Sequence, residues 1–136
     1  MLKVLKIQPA HWQSMRRHVI AQVPLEACGL LAGKQDAVDA VLKVHNAEQS
    51  PVRFRMDPEE QLHALEWIDA NGLELVGIYH SHPAGPETAS ATDIAEAAYE
   101  VVHVIWSCSG RFWKARGFWI EAGEVTEVDI QIVNRK

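Results

Sequence analysis

Residues 77–93 read GIYHSHPAGPETASATD, from Gly77 to Asp93. Leading into and through its start, Leu73, Leu75, Val76, Ile78 and Tyr79 form an apolar, partly β-branched run after the turn signal Asn71-Gly72, which predicts a buried strand. His80 and His82 close that run. Side chains at i and i+2 of an extended chain point to the same side, so both imidazoles face one point in space. Pro83 ends the pairing, and Gly85 and Pro86 make the next segment a loop. Ser90-Ala91-Thr92-Asp93 then opens a helical pattern through Ile94, Ala97 and Ala98. Asp93 lies 11 positions beyond His82. That length lets a loop and a first helical turn fold back and bring a carboxylate to the imidazoles.

Two imidazoles and one carboxylate leave a fourth tetrahedral position for water, as in a catalytic zinc site rather than a closed structural one. Nitrogen and oxygen ligands without thiolate suit zinc first, and iron, manganese and cobalt remain compatible. A second reading stands beside this one. Ser90-x-x-Asp93 before an apolar helix resembles an N-terminal capping box, although the usual acid there is Glu or Gln, and capping alone accounts for both residues.

Outward from this stretch, Leu2, Val4, Leu5 and Ile7 predict a first strand. Pro9 opens a helix with Trp12, Met15, Val19 and Val23 on one face, stopped by Pro24. Cys28 to Ala32 and Val38 to Val44 read as two strands of a hairpin around Lys34-Gln35-Asp36. A second helix has Asp57 as N-cap, Pro58 as first residue, Glu60 as capping-box acid and Leu62, Leu65 and Ile68 as buried stripe, with Asn71-Gly72 as terminator. Beyond Asp93, Val101 to Trp106 is a strand in which His103 reads as a satisfied core or edge histidine. Turns at Ser109-Gly110 and Gly123 then divide Phe112–Ile120 from Val125–Val133, a β-meander. Trp106, Trp113 and Trp119 are assigned mostly to the core, and His63 has no catalytic role.

The 136 residues suffice for one domain, 1–136, with a real core. With 48% hydrophobic and 23% charged residues, the composition is that of a globular protein, and the net charge of −5 argues against nucleic acid or an anionic membrane as partner. No apolar run reaches the ~18 residues of a membrane span, and the N-terminus lacks a signal-peptide core. A cytoplasmic location is expected. Cys28 and Cys108 are too few for a disulfide framework and read as thiols.

HSHP, with the serine of SxxD seven residues past Pro83, resembles the signature of the JAMM family, the zinc metallopeptidases of the MPN-plus type. Pro24-Leu25-Glu26-Ala27-Cys28-Gly29-Leu30-Leu31-Ala32-Gly33 is similar to that family's glutamate segment. Asn46 through Phe54-Arg55-Met56-Asp57-Pro58 is similar to its middle segment. One departure is Ala89, where the family often carries proline. The resemblance implies an α+β, α/β/α-like MPN fold: a cytidine-deaminase-like, mixed and curved β-sheet flanked by helices. It implies one Zn²⁺ per chain held by His80, His82 and Asp93. Glu26 would be the general base that takes a proton from zinc-bound water and passes it to the leaving amine, and Ser90 would support the tetrahedral intermediate.

The expected activity is that of a deubiquitinase-like metallopeptidase or isopeptidase, cutting after the C-terminal glycine of a ubiquitin-like or sulfur-carrier protein. The substrate tail would lie extended beside a sheet edge. The chain has no long insertion after Asp93 of the kind eukaryotic relatives use to grip a second ubiquitin, so its form resembles compact prokaryotic members. Family members often pair, which adds a homodimer to the expectations. The alternative is a non-catalytic MPN-type binding or scaffolding module, although such relatives typically lose one of the residues this chain retains. A nucleobase deaminase needs HxE with PCxxC, and neither is present; HExxH is absent too.

Overall fold

A computed structural model describes residues 1–134. In chain order its elements are β1 (Val4–Ile7), α1 (Pro9–Gln22), β2 (Cys28–Lys34), β3 (Ala37–Val44), α2 (Pro58–Ala70), β4 (Glu74–His82), α3 (Ala91–Ala95), β5 (Val102–Ser109), β6 (Phe112–Glu121) and β7 (Glu124–Ile132). The strands run side by side as β1-β3-β2-β4-β5-β6-β7. Most neighbours are antiparallel, while β4–β5, β1–β3 and β1–β7 are parallel.

The expected mixed, curved sheet is present, and its curvature goes further than the sequence indicates. β1 pairs with β7 from Val4↔Asp129 to Ile7↔Ile132, and with β3 at Lys6↔Ala37, so the sheet closes on itself. Closure joins residues more than 100 positions apart, a relation that no local pattern encodes. The thin β1–β3 join is reinforced by the Lys6 N–H donating to the Asp36 carbonyl at 2.7 Å.

Both faces of β2 and β4 are covered, which is why GLLA and VGIY read as continuous apolar runs rather than alternating ones. Leu31 and Tyr79 join Leu5, Met15, Val19 and Trp106 on the side of α1. Leu30 and Ile78 face the other way, with Cys28, Val44 and Ile68 of α2. Trp12 packs on Trp106 with ring centroids 4.5 Å apart. Trp113 and Trp119 are partly buried against the same core. The helical stripes differ from expectation at their ends. Val23 is the C-cap of α1 and 49% exposed, and Leu62 is 56% exposed. The inward face of α2 is Ala64, Leu65 and Ile68, the i, i+1, i+4 set that excludes Leu62.

Gly29 lies opposite Tyr79 across β2 and β4, and a Cβ at Gly29 would fall inside the envelope of the Tyr79 ring and hydroxyl. Tyr79 is fully buried and its hydroxyl is paired with His18 Nδ1 at 2.7 Å, so the ring has nowhere to withdraw. Gly29→Ala is therefore expected to destabilise the fold by about 1–3 kcal/mol through overpacking. Urea unfolding measures this, and an unchanged midpoint would mean that Tyr79 yields.

Candidate metal centre

β4 is held on both sides up to its last turn: Cys28 of β2 pairs with His80, and Ser107 of β5 pairs with His82. The two histidines therefore stand on a rigid strand end. The alternation that points them one way turns Ser81 the other way. Ser81 is fully buried; its Oγ accepts the Ala27 N–H at 2.8 Å and its N–H donates to the Ala27 carbonyl at 3.1 Å. That fork fixes the residue next to Glu26.

Because β5 runs parallel to β4, the chain must cross back over the sheet before β5 can begin. This crossover carries α3 past the strand end and delivers Asp93. The three side chains converge: His80 Nε2 and His82 Nε2 are 3.1 Å apart, and Asp93 Oδ2 lies 3.1 Å from the first and 3.0 Å from the second. Ligand atoms of a tetrahedral ion with bonds of ~2.0 Å stand roughly 3.3 Å apart, so this triangle fits zinc with a small expansion. His82 Nδ1 lies 2.8 Å from the Pro86 carbonyl, which can only accept. Nδ1 therefore donates to that carbonyl, and Nε2 is the nitrogen that faces the Asp93 carboxylate and is left to bind an ion once it is deprotonated.

The capping reading also holds. Ser90 Oγ accepts the Asp93 N–H at 3.0 Å, and the Ser90 N–H donates to Asp93 Oδ2 at 2.9 Å. One carboxylate thus caps α3 and faces the imidazoles, so the two readings of SxxD are not exclusive. The helix itself ends at Ala95, short of the expected Ala97 and Ala98. None of its residues is buried, and a helix without a packed face gains no tertiary support for further turns.

Glu26 stands immediately before β2, with its N–H donating to the Ser50 carbonyl at 2.9 Å and its carbonyl accepting from Asn46 Nδ2 at 3.1 Å. Asn46 also donates to the Arg53 carbonyl and accepts from the Glu48 and Arg55 N–H groups, so one side chain ties Glu26 to the segment at 46–56. The carboxylate is 2% exposed, its Oε1 has no hydrogen-bond partner, and it offers an oxygen within 4.8 Å of both imidazoles. Glu26, His80 and His82 form a group able to hold a metal ion. Phe54 covers the cluster, its ring stacked on that of His80 at 4.4 Å.

The electrostatics follow from this burial. Desolvation opposes ionisation of Asp93, but the hydrogen bonds from His80 and His82 outweigh it and hold the carboxyl well below the usual range. Desolvation lowers the pKa of His80, whereas for His82 the contacts with Asp93 and Pro86 overcome burial and raise it. Burial pushes Glu26 up to about 7, His82 pulling against it. Cys28 is buried with its thiol pushed up to about 12, first by burial and then by Glu26, as befits a packed residue rather than a nucleophile.

Sequence reasoning missed Phe54 as a cover for His80, and Ser81 and Asn46 as supports for the glutamate segment. Ser81 was within reach, since the middle residue of HxH must point into the opposite layer. His103 is buried at 4% exposure, as expected of a core histidine, but neither ring nitrogen has a hydrogen bond of good geometry and its polar contact is with the Tyr99 backbone.

Residues 8–116 match the family described as prokaryotic homologs of the JAB domain. The chain is 38% identical over 129 residues to the desampylase of Pyrococcus furiosus, covering 93% of this chain and 89% of that one. It is 35% identical over 122 residues to the probable TtuB-protein conjugate cleaving protease of Thermus thermophilus, covering 89% and 79%. The solution structure of protein DSY2949 from Desulfitobacterium hafniense superposes with a TM-score of 0.87 at 33% identity, covering 96% and 94% of the two chains.

Proposed function

Because this chain belongs to the prokaryotic JAB family and is a JAMM-type peptidase, we propose that it is a zinc-dependent peptidase or isopeptidase acting after the C-terminal glycine of a ubiquitin-like or sulfur-carrier protein. The observation that carries the reading is the convergence of His80, His82 and Asp93 to within 3.1 Å, with the unpartnered Glu26 carboxylate beside them. His80 Nε2, His82 Nε2 and Asp93 Oδ2 hold the ion. Zinc bound there supplies Lewis acidity, which acidifies water and polarises a carbonyl.

Glu26 accepts the proton from the attacking water and delivers it to the departing amine. Burial raises this carboxyl above the usual carboxylate range in the metal-free site, which favours its holding a proton between the two transfers. Ser90 Oγ spends a lone pair on the Asp93 N–H and keeps its O–H free to donate to the developing oxyanion. Phe54 limits access of bulk water to His80 by lying across its ring.

The closed sheet changes where an extended tail can pair. Every strand has two neighbours in the order around the sheet, although β1 meets β3 only at Lys6↔Ala37. The segment at 53–56 is the one that reaches His80, through Phe54. Its bonds to Asn46 and Ala47 occupy Arg53 and Arg55 on one side, while the backbone groups of Phe54 engage no other backbone group among the described residues. A tail paired there is led to His80, against which Phe54 is stacked.

The test is cleavage of ubiquitin-like carriers bearing a C-terminal glycine linked to an amino acid or to a protein amine, followed by mass spectrometry. Release after the glycine, abolished by a chelator and restored by zinc, is the expected result. Binding of the carrier without hydrolysis in zinc-loaded protein would move the chain to the scaffolding class.

A further inference from the structure

The loop between β4 and α3 is tethered at one point that the proposed chemistry does not use. Residues 84–88 are exposed, and among the described residues of 83–89 only Glu87 has its side chain in a hydrogen bond or ion pair. Both partners are on β6. Glu87 Oε2 lies 2.6 Å from Lys114 Nζ, and Oε1 lies 3.4 Å from Arg116 Nη1. The register of the sheet accounts for the meeting. His82 pairs with Ser107 and Ser107 with Lys114, while His80 pairs with Ile105 and Ile105 with Arg116. Partners in register share a face, so Lys114 and Arg116 stand on the face of the two histidines, two strands and about 10 Å away. Glu87 comes five residues after His82, and five extended residues reach at most about 17 Å, enough to cross β5.

An isolated surface ion pair contributes little, but this one belongs to a network of fixed geometry. Arg116 is held from its other side by Glu127, which accepts from Nε at 3.0 Å and from Nη2 at 2.7 Å. Its guanidinium also lies 5.2 Å over the Phe118 ring. A guanidinium already fixed in this way loses little further freedom on meeting Glu87. The residue placed by the contact is Pro86, next to Glu87 in the chain. Its carbonyl accepts from His82 Nδ1 at 2.8 Å, the bond that turns Nε2 of the same ring toward Asp93. Pro86 is itself exposed, so nothing packed over it keeps that carbonyl in place.

We infer that Glu87, Lys114 and Arg116 are positioning residues for the metal centre, clamping the loop across β5 so that the Pro86 carbonyl orients the His82 ring. For its effect on zinc the inference rests on the metal reading; for the orientation of His82 it does not. Loss of a partner that orients a ligating histidine typically weakens metal binding 10–100-fold. Glu87 acts one residue further out, so the low end of that range, about tenfold, is expected.

Zinc affinity of the full chain is measured by competition with a chromogenic chelator. Glu87→Ala should weaken zinc about tenfold in about 0.01 M salt. The difference from wild type should shrink in about 1 M salt, where the screening length falls from ~30 to ~3 Å and the wild-type clamp is itself weakened. The double variant Lys114→Met, Arg116→Met separates clamp from field. Removing two positive charges favours a bound cation through the field alone, whereas loss of the clamp disfavours it. Binding about tenfold weaker is expected, with Glu87→Ala adding no further loss in the triple variant. In metal-free protein with ¹⁵N-labelled histidine, the His82 Nδ1 proton should be observable and slow to exchange in wild type, and broadened by exchange in Glu87→Ala. An unchanged His82 resonance in Glu87→Ala, or zinc bound as tightly as in wild type or more tightly by the double variant, would overturn the inference. If wild type and variants alike bind no zinc while the His82 resonance responds, the metal reading falls and the clamp stands.

Discussion

Glu26→Gln is expected to lower kcat for carrier cleavage by about 10²–10⁴-fold, with KM changed little and the zinc content still near one per chain. The substitution preserves shape in a site where shape is constrained. Glu26 is 2% exposed, and its backbone is fixed by Ser50 and Asn46. An amide in the same place cannot accept a proton from water, so the loss falls on the chemical step rather than on binding. Removing a buried, unpartnered carboxylate also removes a desolvation cost, so thermal stability should be equal or higher. The zinc measurement decides between two roles for this side chain. Glu26 offers an oxygen within 4.8 Å of both imidazoles, close enough to belong to a ligand set. If zinc and activity fall together in Glu26→Gln, the carboxylate is a ligand and the base assignment is wrong. If zinc stays and activity falls, the base assignment stands.

The legibility of this site in the sequence has a physical origin. HSH needs only the two-residue period of a strand to place both imidazoles on one side, and the Pro-Gly-Pro loop needs only local turn chemistry to stop β4 at His82. Such relations are short-range, so they survive reading without a structure. What escaped depends on contacts between distant residues. Closure of the sheet rests on β1 meeting β7, and the cover over His80 rests on Phe54 arriving from a loop. The end of α3 and the outward turn of Leu62 were set by which faces found partners, a decision of packing over propensity. His103 shows the same limit from the other side: alternation with apolar neighbours places it inward, but nothing local says whether its nitrogens meet partners there.

Asp93→Ala should reduce bound zinc from about one per chain to below a tenth, and cleavage should fall with it. The side chain supplies one corner of a triangle whose edges are 3.0–3.1 Å, and two imidazoles alone do not hold zinc against buffer and water. A separate, smaller loss is built into the same change, because Asp93 Oδ2 also accepts the Ser90 N–H at the start of α3. Losing a cap contact costs about 1 kcal/mol whether or not metal is present. Ser90→Ala separates the two effects. It breaks the other half of the capping box, the bond from the Asp93 N–H to Ser90 Oγ, and leaves the carboxylate in place. That variant should show a comparable loss of stability in metal-free protein, near-normal zinc content and intermediate activity. Zinc at 100 times its Kd should stabilise wild type and Ser90→Ala by about 2.7 kcal/mol, and Asp93→Ala not at all. Full zinc content in Asp93→Ala would reduce SxxD to a helix cap and leave the ion to His80, His82 and Glu26. Loss of zinc in both variants would mean that the cap is what holds the carboxylate against the imidazoles, so that the ligand and the helix terminus are one device.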